Sequence, residues 1–465
     1  MKNVLFLFVF SLLHQTSCNK TSPITSVTPT VVVENPDSDP AAFGAPFSGV
    51  PSTKDVAMYE VNMRAFSAEG NFKGVQARLD SIKALGINVL WLMPIHPIGV
   101  LKNAGQLGSP YSVKDYKAVS SEYGTLEDLQ NLIIEAHKRN MAVIIDWVAN
   151  HTAWDNAWVA AHPNWYTKDA AGNIVIPAGT NWADVADLNY SNADMRKSMI
   201  SAMKYWVLKA NIDGFRCDYA DGVPVDFWRQ AIDSLKTLPN RKYILLAEGS
   251  LSEQLSAGFA MNYAWDFYTQ ITNVYKNNLA ASLLFNVNNY EYSNLPSGGA
   301  KLRYTTNHDQ SAWEDSPIAL LNGKAGSMSA FVLATYIGGV PLLYNGQEVG
   351  RADKTPFFAK SPINWSLNPD ILAEYKRLMA FRQSSNAIKE GSLEVINDNA
   401  NVMVFKRVFQ NEEVLVLVNT KNSVSNYTVA MALSNTTWKS ALDNTAVTLS
   451  TSISLQPYQY LILKK

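Results

Sequence analysis

The sequence predicts an α/β fold in which eight parallel strands and their helices close into a (β/α)8 TIM barrel, followed by a C-terminal antiparallel β-sandwich. From residue 54 onward, short apolar runs alternate with amphipathic helical stretches. The alternation extends over about 300 residues, and such a barrel needs about 250 before insertions. After about residue 390, alternating apolar runs and Asn-rich turns without helical periodicity are typical of antiparallel strands. A doubly wound open sheet is the alternative to the barrel.

Eight apolar runs have the length and composition of buried strands. Helical patterns lie between most of them, such as the spacing of Val75, Leu79 and Ile82 before the second run. The runs cover residues 56–63, 88–94, 142–147, 214–218, 243–248, 261–265, 302–308 and 341–346.

The pattern also predicts the domain boundaries. The barrel is expected over residues 53–389 and the sandwich over residues 390–465. Residues 150–190, between the third strand and the next helix, are far longer than the usual connection of about 2 to 6 residues. We therefore expect a short inserted subdomain after the third strand, beside the functional site.

The first 18 residues, "MKNVLFLFVFSLLHQTSC", have the features of an export signal. One lysine precedes an apolar run that is too short to span a bilayer, and Cys18 ends the segment as in bacterial lipoprotein signals. Residues 19–52 are rich in Ser, Thr, Pro and Asp, which is typical of a flexible linker. The sequence thus predicts an exported protein that is lipid-anchored at Cys18 to a bacterial membrane, with ordinary secretion as the alternative.

Composition restricts the partner. With 39 Lys and Arg against 40 Asp and Glu, the net charge of -1 provides no basic field for nucleic acid. The chain contains 12 Trp and 21 Tyr, whose rings can stack on the flat apolar faces of sugars as well as pack in a core. A neutral substrate is therefore favoured.

Four predicted strands end in a carboxylate, and the carboxyl ends of barrel strands form the active face. These residues are Asp146, Asp218, Glu248 and Asp309. Cleavage of a glycosidic bond with retention uses one carboxylate as nucleophile and a second carboxyl group as acid. Strand alternation places Arg216 beside Asp218 and would keep that carboxylate ionised, whereas the apolar run before Glu248 would raise its pKa.

Four motifs resemble those of the α-amylase family, glycoside hydrolase family 13, in type and order. They are "DWVANH" (146–151), "GFRCD" (214–218), "AEGS" (247–250) and "TNHD" (306–309), and "DLN" (187–189) resembles a fifth. The resemblance implies that Asp218 is the nucleophile and Glu248 the general acid/base. It also implies that Asp309 binds sugar hydroxyls and helps to distort the ring.

The same resemblance implies further binding residues. Arg216 would orient the nucleophile, His151 and His308 would hydrogen-bond the sugar at the cleaved position, and Tyr111 would form a platform beneath it. For His151 and Tyr111 the alternatives are a loop cap and simple packing.

A calcium ion is common in the family, and Asn150 and Asp187 match two of its oxygen ligands. Many members have a Lys-His pair three and four residues after the nucleophile, where this chain has Asp221 and Gly222. A glycine carbonyl could still bind the ion.

The sequence therefore predicts a retaining hydrolase that cleaves internal α-1,4-glucosidic bonds of starch or maltodextrin. A cyclomaltodextrinase or neopullulanase, a glucanotransferase or trehalose-forming isomerase, and a noncatalytic glucan-binding protein are the alternatives. Trp313 and Trp365 would either line outer sugar subsites or pack in the core.

Overall fold

The computed structural model of the chain describes residues 39–397 and 399–465. The predicted signal peptide, Cys18 and the linker up to residue 38 lie outside the described residues. Residues 39–52, the last part of the predicted linker, lie against the barrel. The Phe43 N–H donates to the Leu208 carbonyl at 2.7 Å, and the Phe47 ring stacks on His137 with centroids 4.2 Å apart. Residues 39–52 therefore pack as part of the same compact unit as the barrel.

Eight parallel strands close the predicted barrel, which confirms the fold class. Around the barrel the order is β1, β2, β3, β6, β7, β8, β9 and β10, and two further strands of this region, β4 and β5, pair with each other outside it. In chain order the ten strands are β1 Met58–Val61, β2 Val89–Leu92, β3 Ala142–Val148, β4 His151–Ala153, β5 Val185–Asp187, β6 Gly214–Asp218, β7 Ile244–Ala247, β8 Met261–Tyr263, β9 Ala300–Arg303 and β10 Val340–Tyr344.

Each barrel strand overlaps one predicted run, but β9 lies nearer the start of the chain than its predicted run, residues 302–308. It ends at Arg303, so most of the seventh run forms the loop that carries His308 and Asp309 to the site. The predicted insertion after β3 contains β4 and β5, which pair antiparallel with His151 opposite Asp187.

Helices cover the outside of the barrel, and α4 shows why they form. It starts at a capping box of Thr125 and Asp128 and buries Leu129, Leu132, Ile133 and Ala136 at helical spacing.

Among the described residues, no helix is both long and apolar enough to cross a membrane. The helices are α1 Met63–Phe66, α2 Phe72–Gln76, α3 Leu79–Lys83, α4 Leu126–Lys138, α5 Ala157–Ala161, α6 Ala193–Lys209, α7 Val225–Lys236, α8 Ser252–Ala257, α9 Trp265–Lys276, α10 Leu283–Ser293, α11 Pro317–Leu320, α12 Gly323–Tyr336, α13 Pro369–Ser384 and α14 Asn386–Glu390.

The C-terminal region is antiparallel, as predicted. A six-stranded sheet has the order β11, β12, β13, β18, β15 and β16, and β14 pairs with β17. Along β12, Met403 and Phe405 pack into the apolar core shared with the barrel helices, while Val404 packs into a second core that contains Trp438. The strands are β11 Ser392–Asn397, β12 Val402–Phe409, β13 Glu412–Asn419, β14 Ser425–Thr428, β15 Thr436–Ser440, β16 Ala446–Leu449, β17 Ser452–Leu455 and β18 Tyr460–Lys464.

Candidate active site

A cavity of about 410 Å³ opens at the carboxyl ends of the barrel strands. Its volume is within the range of about 300 to 1,000 Å³ that is usual for small-molecule sites. Six of the seven residues predicted to act on the sugar line it, and Arg216 lies beneath its floor. The six are Tyr111, His151, Asp218, Glu248, His308 and Asp309.

Arg216 is fully buried and contacts three carboxylates. Its Nη1 lies 2.9 Å from an oxygen of Asp218 and 2.9 Å from an oxygen of Asp146. Its Nη2 forms an ion pair with Glu248 Oε1 at 2.6 Å. The predicted pairing of Arg216 with Asp218 is confirmed, and the guanidinium also brings Glu248 next to Asp218.

Glu248 follows β7 and is held by the turn after β6. The Tyr219 N–H donates to Glu248 Oε2 at 2.6 Å. Tyr219 has φ +41°, a left-handed conformation that is rare for a bulky residue. The strained turn therefore directs a backbone donor at the predicted acid/base.

Burial raises the pKa of Asp218 to about 6 and that of Glu248 to about 7, while the charge of Arg216 opposes both shifts. Burial thus outweighs the arginine, which by itself would have kept the pKa of Asp218 low. A raised pKa is what the predicted acid, Glu248, needs in order to hold a proton near neutral pH.

His308 joins two carboxylates and Tyr111. Its Nδ1 contacts the buried carboxylate of Glu60, and its Nε2 lies 2.8 Å from Tyr111 Oη and 3.3 Å from Asp309 Oδ2. Burial opposes the charged imidazolium, but Asp309 and Glu60 outweigh it and raise the pKa of His308 to about 9. The Tyr111 hydroxyl in turn donates to Asp146 at 3.0 Å.

Glu60 and Asp146 complete this network, although neither was predicted to act on the sugar. Both are fully buried. Asp146 was visible as a carboxylate at a strand end. The signal for Glu60 was a charged residue inside the apolar run "VAMYEVNM", because a charge buried in a strand needs a partner.

Aromatic side chains form two walls of the cavity. On one side the Trp182 ring meets the His151 and Tyr219 rings edge to face, with centroids 5.5 and 5.1 Å away. On the other, Phe357 stacks on Tyr111 at 5.8 Å and on Trp313 at 5.4 Å. Trp313 therefore lines the cavity, whereas Trp365 packs on Phe66 and beneath Arg78.

The two predicted calcium ligands come together at the base of the insertion. Asp187 on β5 pairs with His151, and the next residue, Leu188, donates its N–H to the Asn150 carbonyl at 3.1 Å. Gly222 is close as well, since a Cβ atom on it would lie 3.0 Å from Asn150 Oδ1. These oxygen groups suit calcium. Within the described ranges, no group of three or more His, Cys, Asp and Glu side chains is arranged to hold a metal.

A closed barrel with two carboxyl groups held on one guanidinium at its carboxyl end is typical of a glycoside hydrolase. Comparison with known families agrees. Residues 35–173 and 179–278 match the catalytic domain of α-amylase, and residues 393–462 match the C-terminal domain of maltogenic amylase. The chain belongs to the α-amylase family of glycoside hydrolases, family 13, as the sequence motifs predicted.

Individual relatives are similar over most of their length. Alpha-amylase 3 of Dictyoglomus thermophilum is 25% identical over 448 residues, which cover 79% of this chain and 85% of that protein. An α-amylase structure from Lactobacillus plantarum is 28% identical with a TM-score of 0.80, covering 89% of this chain and 99% of that one. A maltogenic α-amylase from Thermotoga neapolitana has the same identity and coverage and a TM-score of 0.79.

Proposed function

We propose that the protein is a retaining hydrolase that cleaves internal α-1,4-glucosidic bonds of starch or maltodextrin. The observation that carries this proposal is the placement of Asp218 and Glu248 on a single guanidinium at the floor of the cavity. Two carboxyl groups this close can attack and protonate the same glycosidic bond, as double displacement requires.

In the first step, Asp218 attacks the anomeric carbon and forms a covalent glycosyl ester. The bond between that carbon and the glycosidic oxygen breaks, and Glu248 gives its proton to the leaving oxygen. In the second step, Glu248 takes a proton from water, the water oxygen bonds to the anomeric carbon, and Asp218 leaves as a carboxylate. Arg216 limits the build-up of negative charge on both carboxylates.

The remaining predicted residues hold the sugar. The Tyr111 ring forms part of the cavity wall and serves as the platform. His151 and His308 hydrogen-bond the sugar at the cleaved position, and His308 does so through Nε2, which it shares with Tyr111 and Asp309. Asp309, which is the most exposed of the three predicted catalytic carboxylates, accepts from hydroxyls and favours the distorted ring.

Substitution of the two carboxylates tests the proposal. Asp218→Asn and Glu248→Gln should each lower kcat on soluble starch by a factor of about 10² to 10⁴. Asp233→Asn removes an exposed carboxylate on α7 and should behave as the parent. Release of reducing sugar at the parental rate by either site variant would overturn the proposal.

A second candidate is a cyclomaltodextrinase, neopullulanase or glucanotransferase, and the match of residues 393–462 to a maltogenic amylase domain favours it. Product analysis separates the candidates. An internal hydrolase should shorten starch rapidly and give only shorter products from maltoheptaose, whereas a transferase would also give longer ones. Faster action on cyclodextrin or pullulan than on starch would favour the second candidate.

We also propose that the chain is exported and anchored by a lipid on Cys18, as its first 18 residues suggest. Cys18→Ser should then move the protein from the membrane fraction to the soluble fraction of the bacterial host. An unchanged distribution would exclude the anchor.

A further inference from the structure

Asp221, three residues after Asp218, joins the loop after β6 to the loop after β7. Its Oδ2 accepts from the Ser250 N–H at 2.9 Å, and its Oδ1 accepts from Gln254 Nε2. The Leu251 N–H also donates to this carboxylate. Three donors from the segment just after Glu248 therefore converge on a single side chain.

The contact is tight at Gly249, the residue between Glu248 and Ser250. A Cβ atom there would lie 2.2 Å from Asp221 Oδ1 and 2.5 Å from Gln254 Nε2. A side chain at this position would displace the Asp221 carboxylate and the Gln254 amide, so the carboxylate lies directly against the backbone that follows Glu248.

Two neighbours of Asp221 hold Glu248 itself. The Ala220 N–H donates to the Glu248 carbonyl at 2.8 Å, and the Tyr219 N–H donates to its carboxylate at 2.6 Å. Residues 219–221 thus fix Glu248 through its side chain, through its carbonyl and through the loop after it.

We propose that Asp221 is a positioning residue for Glu248, which holds the acid/base carboxylate at the distance from Asp218 that proton transfer requires. This role rests on the function proposed above. Asp221 acts as a hydrogen-bond acceptor for the loop after β7 and lies outside the described lining of the cavity.

This role predicts that an asparagine at position 221 can replace the carboxylate of Asp221, whereas an alanine cannot. Among the described residues, Gln254 Oε1 is buried without a hydrogen-bond partner. In Asp221→Asn, the remaining oxygen can accept from Ser250, and Gln254 can turn its amide so that Oε1 accepts from the new NH₂ group. Asp221→Ala leaves all three donors without an acceptor, so it should be far more damaging than Asp221→Asn.

Two substrates separate positioning of the acid from a general loss of structure. Maltoheptaose has a poor leaving group that needs protonation. In α-maltotriosyl fluoride the C–F bond breaks as Asp218 bonds to the anomeric carbon, and fluoride leaves with the electron pair without a proton. The measurements are kcat and KM on maltoheptaose, and the rate of fluoride release in the first turnover.

Asp221→Ala should lower kcat on maltoheptaose by about 10- to 100-fold with little change in KM, because misplaced catalytic groups lose rate of this order. First-turnover fluoride release should stay within about threefold of the parent, and Asp221→Asn should keep most of the kcat. The matched control Asp226→Ala removes an exposed carboxylate that pairs with Arg196 at 2.8 Å, and should leave both substrates unaffected.

Equal losses by Asp221→Ala on both substrates, or a loss by Asp221→Asn as large as that by Asp221→Ala, would overturn the positioning role while the parent stays active. A parent and control without activity on either substrate would instead overturn the proposed function, and the role of Asp221 with it.

Discussion

At the scale of single residues, the site is defined by one guanidinium that contacts three buried carboxylates. The single positive charge of Arg216 does not offset the loss of hydration of three buried carboxylates. The pKa values of Asp146, Asp218 and Glu248 therefore all lie above their ordinary values. Carboxyl groups that are protonated more easily in the folded protein destabilise it once they ionise. The acid required for catalysis therefore lowers the stability of the fold.

Glu248→Gln should consequently stabilise the protein at alkaline pH. Burial raises the pKa of Glu248 from 4.5 to about 7, so below pH 4.5 the group is neutral in both the folded and the unfolded chain. Stability is lost as the pH rises from 4.5 to 7, where the unfolded chain ionises and the folded protein does not, and the glutamine variant escapes that loss. The gain in the free energy of unfolding should be about 1 to 3 kcal/mol larger at pH 8 than at pH 4.5.

Urea unfolding of the parent and of Glu248→Gln at the two pH values measures this difference. Glu253→Gln, an exposed glutamate on α8, is the control and should show no such dependence on pH. A difference that is constant or shrinks with pH would contradict the assignment of the raised pKa to Glu248.

Sequence reasoning found the residues at strand ends but not how they connect in space. Asp218 and Arg216 are neighbours in the chain, so strand alternation was enough to pair them. Glu60 and His308 are distant in sequence and meet only because β1 and β9 each adjoin β10 in the closed barrel. Asp221 was visible only as a departure from the family motif, and its contacts with Ser250 and Gln254 needed coordinates.

At the scale of elements, β6 ends at Asp218 and β7 ends just before Glu248, and the spacing of these two strands depends on Gly214. This glycine has φ +150°, and a Cβ atom on it would lie 1.9 Å from the Ile244 carbonyl oxygen. Gly214→Ala should separate the two strands where they begin. We expect a loss of about 1 to 3 kcal/mol in the free energy of unfolding, and a lower kcat.

Gly172→Ala is the control for Gly214→Ala, because Gly172 has φ +87° and open space around it. Gly172→Ala should be destabilised by backbone strain alone, and residue 172 lies outside β6 and β7. Denaturation and starch hydrolysis assays compare the two. Equal effects on stability and on kcat would show that the contact with Ile244 is unimportant.

The prediction of elements succeeded where a strand is buried on both sides. Such strands form continuous apolar runs, which is why all eight barrel strands were found. Loops have no such pattern. The long segment between β2 and α4 carries Tyr111, and only the resemblance to the family pointed to that residue. The insertion was found from the length between β3 and α6, but its β4–β5 pair was not predicted.

The insertion should also respond to calcium, as we propose from Asn150 and Asp187. Binding to the folded state alone would stabilise the protein by about 2.7 kcal/mol at a calcium concentration of 100 Kd. Thermal unfolding with added calcium chloride, and with a chelator, should therefore give different Tm values, and Asp187→Asn should remove the difference. A parent whose Tm is the same in both conditions would exclude the site.

At the scale of the whole molecule, the barrel and the C-terminal sheet share one apolar core. Met403, Phe405 and Val416 belong to the cluster that contains the barrel helices. Arg407 on β12 donates to the Ile337 carbonyl at 2.9 Å, at the end of α12. The two regions therefore stabilise each other.

Calorimetry should accordingly show one unfolding transition for the region from residue 39 to the end of the chain. A chain that stops at residue 390 would expose the barrel side of this core, so we expect it to be insoluble or unfolded, as judged by circular dichroism. Two separate transitions, or a folded truncated barrel, would contradict the shared core.

The charges around the cavity should also determine which chemically modified glucosyl units can bind. Its described lining includes Asp184, Asp218, Glu248 and Asp309, and no lysine or arginine. Two cations at the base of the cavity, Arg216 and His308, are already paired with carboxylates. A phosphate or carboxylate on a sugar bound there would meet like charge without a free counter-ion. Phosphorylated or oxidised glucosyl units should therefore survive digestion and collect in the limit products.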